Sequence, residues 1–208
     1  RGIVTAGGRT LRVLFAPKTF NLGETSRGIE VARELRGLGH EVRFMGYSRR
    51  FADDVRRAGF TLDLLDPELS EEEADRLIAV DQGRSLRHPD TTDMVRRRVA
   101  SELDLLQRWR PHCVVIGTTL TMFLSARAAA VPLVYVRPYA MSRGHVAGMT
   151  TFPLTHGRTA FGGQVDRLSG RLIRAVVPRV WWKPASFRRV AAEHGVRLPA
   201  RTIEAIDA

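Results

Sequence analysis

Several residues that suit a small-molecule site follow predicted strands, at the points where those strands end. They combine apolar and aromatic side chains with hydroxyl groups, and one is a glycine in the first loop. The carboxyl ends of parallel strands meet at one edge of a sheet, and ligands bind beside that edge. Pockets for small lipophilic molecules have this mixed lining. We therefore expect a ligand site formed by Phe20, Gly23, Thr119, Met122, Tyr139 and Met141. The alternatives are that Tyr139 and Met141 are core residues under the loop and that Thr119, with Thr118 and Thr121, caps the following helix.

Two histidines follow the last predicted strand, at the same end of the sheet. His145 and His156 lie in a polar segment, residues 138 to 163, that is predicted to be a long loop. An imidazole with a pKa near 6.5 can accept a proton at neutral pH. A general base must approach the reacting hydroxyl to within about 2.6–3.2 Å. Each histidine is therefore a candidate base, and the alternative for each is a solvated loop residue.

Phosphate and metal chemistry have weak support in the residue pattern. Lys18 in the first loop could meet a diphosphate, but that loop has neither G-x-G-x-x-G nor GxxxxGK[ST]. A self-contained dinucleotide or ATP site is therefore not expected. Cys113 is the only cysteine, so no cysteine cluster can hold zinc. We predict no metal and no cofactor, and a reducing, cytoplasmic location.

The chain is strongly basic, with a formal net charge of +11. Of its 33 basic residues only Lys18 and Lys183 are lysines. Arginine binds phosphate groups well, but these arginines are scattered along the chain, which favours solvated helix faces over a nucleic-acid site. The segment 167–189 interleaves arginines with apolar residues and includes Trp181 and Trp182. It suits either docking onto a partner domain or weak contact with a membrane surface.

A βαβ unit opens the chain. The apolar run from Leu11 leads into a loop and a helix that ends at Gly39, and a second strand spans 41–46. Helix periodicity continues over 48–58, and 60–65 follows as a third strand. Ser70 with Glu73 three residues later predicts a capping box. A long helix is expected from about 91 to 109.

The apolar residues of that long helix share one face. Val95, Val99, Leu103 and Leu106 define it, and Arg96 to Arg98 are predicted to lie mostly off it. A continuous apolar strand follows at 113–116, then a helix over 120–130, a strand over 132–136, and a basic helical region from 165. Five strands separated by helices predict an α/β fold with a Rossmann-like, doubly wound parallel sheet.

The ordered set of segments resembles the N-terminal, acceptor-binding domain of GT-B-type glycosyltransferases, and most closely the natural-product enzymes that use NDP-sugars. The opening run is APKTFNLGETSRGIEVARELRGLGHEVRFMG, at 16–46. Three further segments match in order: Ala58-Gly59-Phe60, RPHCVVIG at 110–117 and AVPLV at 130–134. HGVRLP at 194–199 is similar to the segment before the interdomain linker.

The resemblance covers residues 11 to 200 and implies the organisation of the chain. Residues 1–10 would be a disordered leader, 11–200 one Rossmann-like acceptor-binding domain, and 201–208 the start of an interdomain linker. The C-terminal nucleotide-sugar domain of such an enzyme would be absent. The sugar nucleotide is then a co-substrate, bound mainly by that other domain.

The resemblance also points to a third candidate base. The family places a catalytic histidine directly after the glycine of the first loop, and the matching residue here, sixteen positions before His40, is Glu24. The aspartate partner of that histidine matches Gly117. Glu24 is therefore a candidate catalytic residue, and the alternative is that it stabilises the start of the helix.

The expected function is transfer of a sugar from an NDP-sugar to a small lipophilic, natural-product-like acceptor, as in antibiotic biosynthesis. The partners would be this acceptor and the nucleotide-sugar domain, and the chain alone should be inactive. Two alternatives stay open. One is half of a membrane-associated lipid glycosyltransferase, and the other is a non-catalytic binding or accessory domain of the same fold.

Overall fold

The structure is a computed structural model that describes residues 9–82, 84–85, 90–136, 142–156, 159–179, 184–201 and 204. The chain divides into two compact units. The first comprises Arg1–Val136 and Ser186–Val196, and the second comprises Arg137–Ala185 and Arg197–Ala208. The predicted leader at 1–10, domain at 11–200 and linker from 201 stay predictions.

The first unit contains a five-stranded sheet in which all the strands are parallel. The strands are β1 (Arg12–Ala16), β2 (Glu41–Gly46), β3 (Thr61–Leu64), β4 (Cys113–Ile116) and β5 (Leu133–Tyr135). Their spatial order is β3-β2-β1-β4-β5, with Leu14 opposite Val114 and Phe15 opposite Phe44. The chain thus winds outward in both directions from β1, and the predicted doubly wound α/β sheet is confirmed.

Helices connect the strands of this sheet. They are α1 (Leu22–Gly37), α2 (Ala52–Arg57), α3 (Glu71–Asp81), α4 (Thr92–Trp109) and α5 (Leu120–Ala128). A further helix, α8 (Ala185–Glu193), comes after the last strand. Asn21 caps α1 by accepting a hydrogen bond from the Glu24 amide, and Gly39 after the helix has φ +85°. Glycine adopts this left-handed backbone without a steric penalty, which is why the chain turns into β2 there. The predicted capping box of Ser70 and Glu73 is present.

Apolar residues alternate between the two faces of the sheet. On one face Val13, Phe15, Phe44 and Val115 pack with α1 and α2 residues such as Ile29. On the other, a larger cluster contains Leu14, Ala16, Met45, Val114 and Ile116 together with α3, α4 and α5 residues. Burying both faces explains the continuous apolar run in β4.

Helix α8 returns to the first unit after the chain has built the second. Phe187 and Val190 are buried, and the Ser186 hydroxyl donates to the Asp90 carbonyl at 2.9 Å. The guanidinium of Arg96 binds the Glu193 carboxylate through two hydrogen bonds of 2.9 and 2.7 Å. The first unit is therefore discontinuous in sequence.

The second unit contains two further helices, α6 (Arg143–Gly148) and α7 (Ala160–Val176), and a 3₁₀ turn at Val177–Arg179. The prediction of a loop over 138–163 is therefore wrong at 143–148 and at 160–163, whereas residues 149–156 contain neither helix nor strand, as predicted. Ser142 caps α6 and Thr159 caps α7, each side chain accepting a backbone N–H. Trp181 and Trp182 lie outside the described residues.

Two local predictions in the first unit are also wrong. The helix expected over 48–58 begins only at Ala52, because Ser48 is held by the Thr19 hydroxyl, which accepts its N–H at 3.0 Å. Arg98, expected mostly off the apolar face of α4, is buried and paired with Asp90 at 3.1 Å. No helix in the described ranges is long and apolar enough to cross a membrane.

Candidate active site at the ends of β1 and β4

Glu24 lies where the carboxyl ends of β1 and β4 meet. It occupies the first turn of α1, and the Asn21 cap holds this turn in place. One carboxylate oxygen, Oε2, accepts the backbone N–H of Lys18 at 3.0 Å and that of Thr118 at 3.1 Å. The other, Oε1, accepts the Thr118 hydroxyl at 2.5 Å. Glu24 therefore joins the loop after β1 to the loop after β4.

Gly117 makes this arrangement possible. A Cβ at position 117 would overlap the Glu24 carboxylate, whose Oε2 and Cδ are its nearest neighbours. The carboxylate therefore fills the space that a side chain at the end of β4 would occupy. In the resemblance, Glu24 matches the family's histidine and Gly117 matches its aspartate. The Glu24 carboxylate therefore lies where a side chain at the aspartate position would begin.

An open pocket of about 100 Å³ lies beside Glu24, within the first unit. Its walls are mostly apolar and come from the ends of β1, β4 and β5 and from the exposed side of α1. Glu24 adds a carboxylate to the lining and Arg27 adds a guanidinium. The apolar residues of the lining are Phe15, Pro17, Val31, Val115, Ile116 and Val136. The pocket can thus hold a small apolar group while a polar atom of the same molecule meets a charged side chain.

Lys18 is not directed at a free anion site. Its ammonium is paired with the Asp81 carboxylate at 2.5 Å and lies 5.8 Å from the centroid of the Phe20 ring. Among the described residues, no group of three or more histidine, cysteine or acidic side chains could hold a metal ion.

The residues predicted to bind a ligand are not gathered in one place. Phe20 and Met122 are buried in the larger core cluster, and Met122 has no exposed surface, so both act as core residues here. Gly23 is exposed in the first turn of α1. Tyr139 and Met141 lie outside the described residues.

Thr119 precedes α5 but does not cap it through its side chain. Its hydroxyl is buried and has no hydrogen-bond partner within the described parts of the chain. The neighbouring threonines are each engaged: Thr118 with Glu24, and Thr121 with Glu102 at 2.6 Å. The capping role proposed for these threonines is therefore not what the structure shows.

The two candidate histidines belong to the second unit. His145 lies in α6 rather than in a loop, and its backbone N–H donates to the Ser142 hydroxyl at 3.1 Å. His156 is exposed and has a left-handed backbone with φ 57°. Their role as bases, like that of Glu24, stays a prediction.

The sequence did not predict the buried carboxylate of Glu102. Glu102 in α4 is fully buried and accepts hydrogen bonds from the hydroxyls of Tyr47 at 2.7 Å, Thr121 at 2.6 Å and Ser125 at 2.5 Å. Burial raises the pKa of Glu102 above its ordinary value, and the three hydroxyl donors oppose this shift. Burial and the neighbouring Glu102 also raise the pKa of Tyr47 well above its usual range. The cluster ties α4 to the end of β2 and the start of α5.

Sequence signals for the missed residues were present but weak. Val31 and Val136 line the pocket although they are among the exposed large apolar residues of the structure. Exposed valines on helices and just beyond strands are common, so Val31 and Val136 do not by themselves predict a binding site. Thr118 follows Gly117 directly, so its closeness to the end of β4 was predictable, but its bond to Glu24 was not.

No protein-family model matches the chain, and no curated protein matches it by sequence. Its fold is nevertheless that of known enzymes: the chain has a partial GT-B fold, the glycosyltransferase fold that the resemblance predicts. The spinosyn forosaminyltransferase SpnP superposes on 92% of the chain with a TM-score of 0.50 and 19% identity.

Two further solved structures are similar. SsfS6, a glycosyltransferase of Streptomyces sp. SF2575, matches 92% of the chain at 18% identity and a TM-score of 0.48. SnogD, a glycosyltransferase from Streptomyces nogalater, matches 62% at 25% identity and a TM-score of 0.45. The matches cover 43% of SpnP, 49% of SsfS6 and 36% of SnogD. The chain therefore spans less than half the length of each of these enzymes.

Proposed function

We propose that this chain is the acceptor-binding part of a glycosyltransferase that moves a sugar from an NDP-sugar to a small lipophilic molecule. The observation that supports this most is the apolar pocket beside Glu24, at the carboxyl ends of β1 and β4. Ligands of doubly wound sheets bind at such strand ends. The spinosyn forosaminyltransferase SpnP has this fold, which agrees with a natural-product-like acceptor.

Glu24 is the candidate that would accept the proton of the acceptor hydroxyl. A carboxylate oxygen can accept two hydrogen bonds. Oε2 already accepts two backbone N–H groups, whereas Oε1 accepts only the Thr118 hydroxyl among the described contacts. Oε1 is therefore the atom with room for a substrate hydroxyl, and the other three bonds hold it in place.

The pocket lining suggests how an acceptor would be oriented. Val31 and Val136 would cover an apolar ring, and its hydroxyl would then face Glu24. The nucleotide sugar would be bound mainly by a second domain, as the resemblance implies. It is a co-substrate in this proposal, and no metal or cofactor takes part.

A binding assay with a matched pair of variants tests the acceptor site. Hydroxylated aromatic polyketides would be titrated into the 208-residue chain and followed by calorimetry. Val136→Asp places a charge in the apolar wall and should weaken binding by at least about tenfold. Val134→Asp is the control, because Val134 is equally exposed, at 49%, but does not line the pocket.

Two results would overturn the proposed acceptor site. One is the absence of binding across the panel at millimolar ligand, with the fold intact by circular dichroism. The other is an equal loss of binding in both valine variants. Adding NDP-sugars to the same mixtures should give no transfer, because this part would not hold the leaving diphosphate. Robust turnover by the 208-residue chain alone would contradict the proposal that a second domain binds the diphosphate.

A non-catalytic binding or accessory domain is a second candidate. The contacts of Glu24 favour this second candidate, because they give the residue a structural role. Glu24 joins two loops and fills the space above Gly117. Glu24→Gln, in a polypeptide that also carries the nucleotide-sugar domain, separates the two candidates. A base should lose at least about a hundredfold in kcat, whereas an unchanged kcat would leave Glu24 a structural role.

A further inference from the structure

Helix α7 is fixed in its own unit by one narrow face. Gly162, Asp166 and Gly170 are buried there, at successive intervals of four residues. The preceding segment crosses this face closely: a Cβ on Gly170 would lie 2.6 Å from the backbone N of Thr151. The Thr155 N–H and hydroxyl both donate to Asp166 Oδ1, at 2.8 and 3.1 Å. These contacts determine which side of α7 faces inward.

The side that faces away from these contacts is apolar. Spacings of seven, four and four residues place its four large side chains along one stripe of the helix. Their exposed fractions are high for apolar residues: Phe161 76%, Leu168 67%, Leu172 62% and Val176 42%. Four such side chains in a row form a continuous apolar surface rather than the isolated exposed residues that are normal in proteins.

All exposed charges on α7 are positive. Arg167, Arg171 and Arg174 are exposed, and at 100° per residue they lie together on one flank of the apolar stripe. The helix contains one acidic residue, Asp166, which is buried. The surface of α7 therefore combines a hydrophobic stripe with a cationic flank.

We propose that α7 binds the surface of an anionic phospholipid bilayer. The helix would lie in the plane of the interface, with Phe161, Leu168 and Leu172 at the boundary of the acyl chains. Arg167 and Arg171 would then reach the lipid phosphates, which a guanidinium binds through paired hydrogen bonds. This surface is separate from the proposed acceptor site and does not depend on it.

The charges favour an anionic bilayer over a second copy of the chain as the binding partner of α7. Two α7 helices packed antiparallel through their stripes would bring their arginine flanks together, and like charges across an interface are unfavourable. The whole chain also carries a net charge of +11, which repels another copy and attracts an anionic surface.

Vesicle binding tests the proposal with variants that keep the net charge. The full chain would be sedimented with vesicles of phosphatidylcholine alone and with vesicles of phosphatidylcholine mixed with anionic phosphatidylglycerol. Leu168→Gln with Leu172→Gln should weaken binding to the anionic vesicles by at least about tenfold, because the apolar stripe is lost. Leu22→Gln with Leu38→Gln is the control: both leucines are similarly exposed, at 56% and 50%, but lie in or next to α1.

The arginine flank is tested separately, against the same loss of charge elsewhere. Arg167→Gln with Arg171→Gln should reduce binding more than Arg56→Gln with Arg57→Gln, which lie on α2. Equal effects of the two pairs, or no binding to anionic vesicles, would overturn the proposal. It would also be overturned if the leucine variant instead abolished a lipid-independent dimer seen by sedimentation velocity, or binding to an acidic protein.

Discussion

At the scale of single residues, Glu24 and Gly117 act as a pair. The Glu24 carboxylate occupies the space above Gly117 and accepts three hydrogen bonds from the two loops around it. Gly117 has no left-handed backbone conformation to explain it. Its role is therefore to leave room for the Glu24 side chain.

Gly117→Ala should destabilise the chain by about 1–3 kcal/mol, because the new methyl group displaces the Glu24 carboxylate and breaks its hydrogen bonds. In a Glu24→Ala background the same change should cost little, since the space is then empty. Urea unfolding of the two single variants and the double variant measures this coupling. Gly37→Ala is the control, because a Cβ there has no neighbour within 4 Å. Additive effects of the two substitutions would contradict the pairing.

Glu102 gives the chain a pH-dependent stability. Its raised pKa means that the folded state holds this proton more tightly than the unfolded chain does. The resulting stabilisation is complete below the unfolded pKa of about 4.3, and it is lost as the pH rises through the higher folded pKa. The glutamine of Glu102→Gln has no proton to lose. The free energy of unfolding of this variant, relative to that of the wild type, should therefore increase as the pH rises above about 4, by at most about 1.4 kcal/mol per pH unit.

Chemical denaturation between pH 4 and 8 measures this difference. Glu72→Gln, which removes a carboxylate with an exposed side chain on α3, is the reference for effects of net charge that any such substitution produces. A constant difference between wild type and Glu102→Gln across the range would contradict a raised pKa.

The sequence predicted the residues at the strand ends better than it predicted their contacts. Glu24 was selected by its position in the resemblance, and the structure places it at the meeting point of β1 and β4. Its bond to Thr118 joins residues 94 positions apart, and no local pattern reports such a contact. Glu102 was missed because acidic residues are rarely buried, and the hydroxyls that satisfy it lie far from it in sequence, on Tyr47 after β2 and on Thr121 and Ser125 of α5.

At the scale of elements, α7 depends on its small residues. Gly170→Ala should destabilise the second unit by about 1–3 kcal/mol, because the methyl group would lie 2.6 Å from the backbone of Thr151. Gly163→Ala on the same helix should stabilise it by up to about 1 kcal/mol, since a Cβ there meets no neighbour and alanine favours helix. Hydrogen exchange of residues 150–156 and 160–176 measures both effects. Faster exchange in both variants, or in neither, would contradict this packing.

The strands were the most predictable elements, and the helices after β5 the least. β2 and β4 have the predicted bounds, since short apolar runs between turn residues are a local signal. α6 and the start of α7 were predicted as loop because glycines fill both segments, and glycine lowers helix propensity. Ser142 and Thr159 were available as cap signals. Tertiary packing on the buried glycine face overrides the propensity of α7.

At the scale of the whole molecule, the arginines lie in two different electrostatic environments. In the first unit many arginines pair with nearby acids on helix surfaces, as Arg33 does with Glu30 and Arg76 with Glu72. Such exposed pairs contribute little to stability, and they agree with the predicted solvated helix faces. On α7 the exposed arginines have no exposed acid on their own helix. Position within the fold, more than the total charge, therefore distinguishes the surface proposed to bind lipid.

The return of α8 to the first unit makes residues 137–185 an insertion in the sequence of that unit, and the second unit combines this insertion with residues 197–208. Phe187, Val190 and the Arg96–Glu193 pair secure the chain again as soon as it leaves residues 137–185. The core clusters of the sheet and the lining of its candidate site come from residues that precede that insertion. An exchange of the second unit would accordingly have to replace residues 137–185 and 197–208 together, and chimaeras made in this way should keep the sheet and its candidate site while acquiring different surface properties.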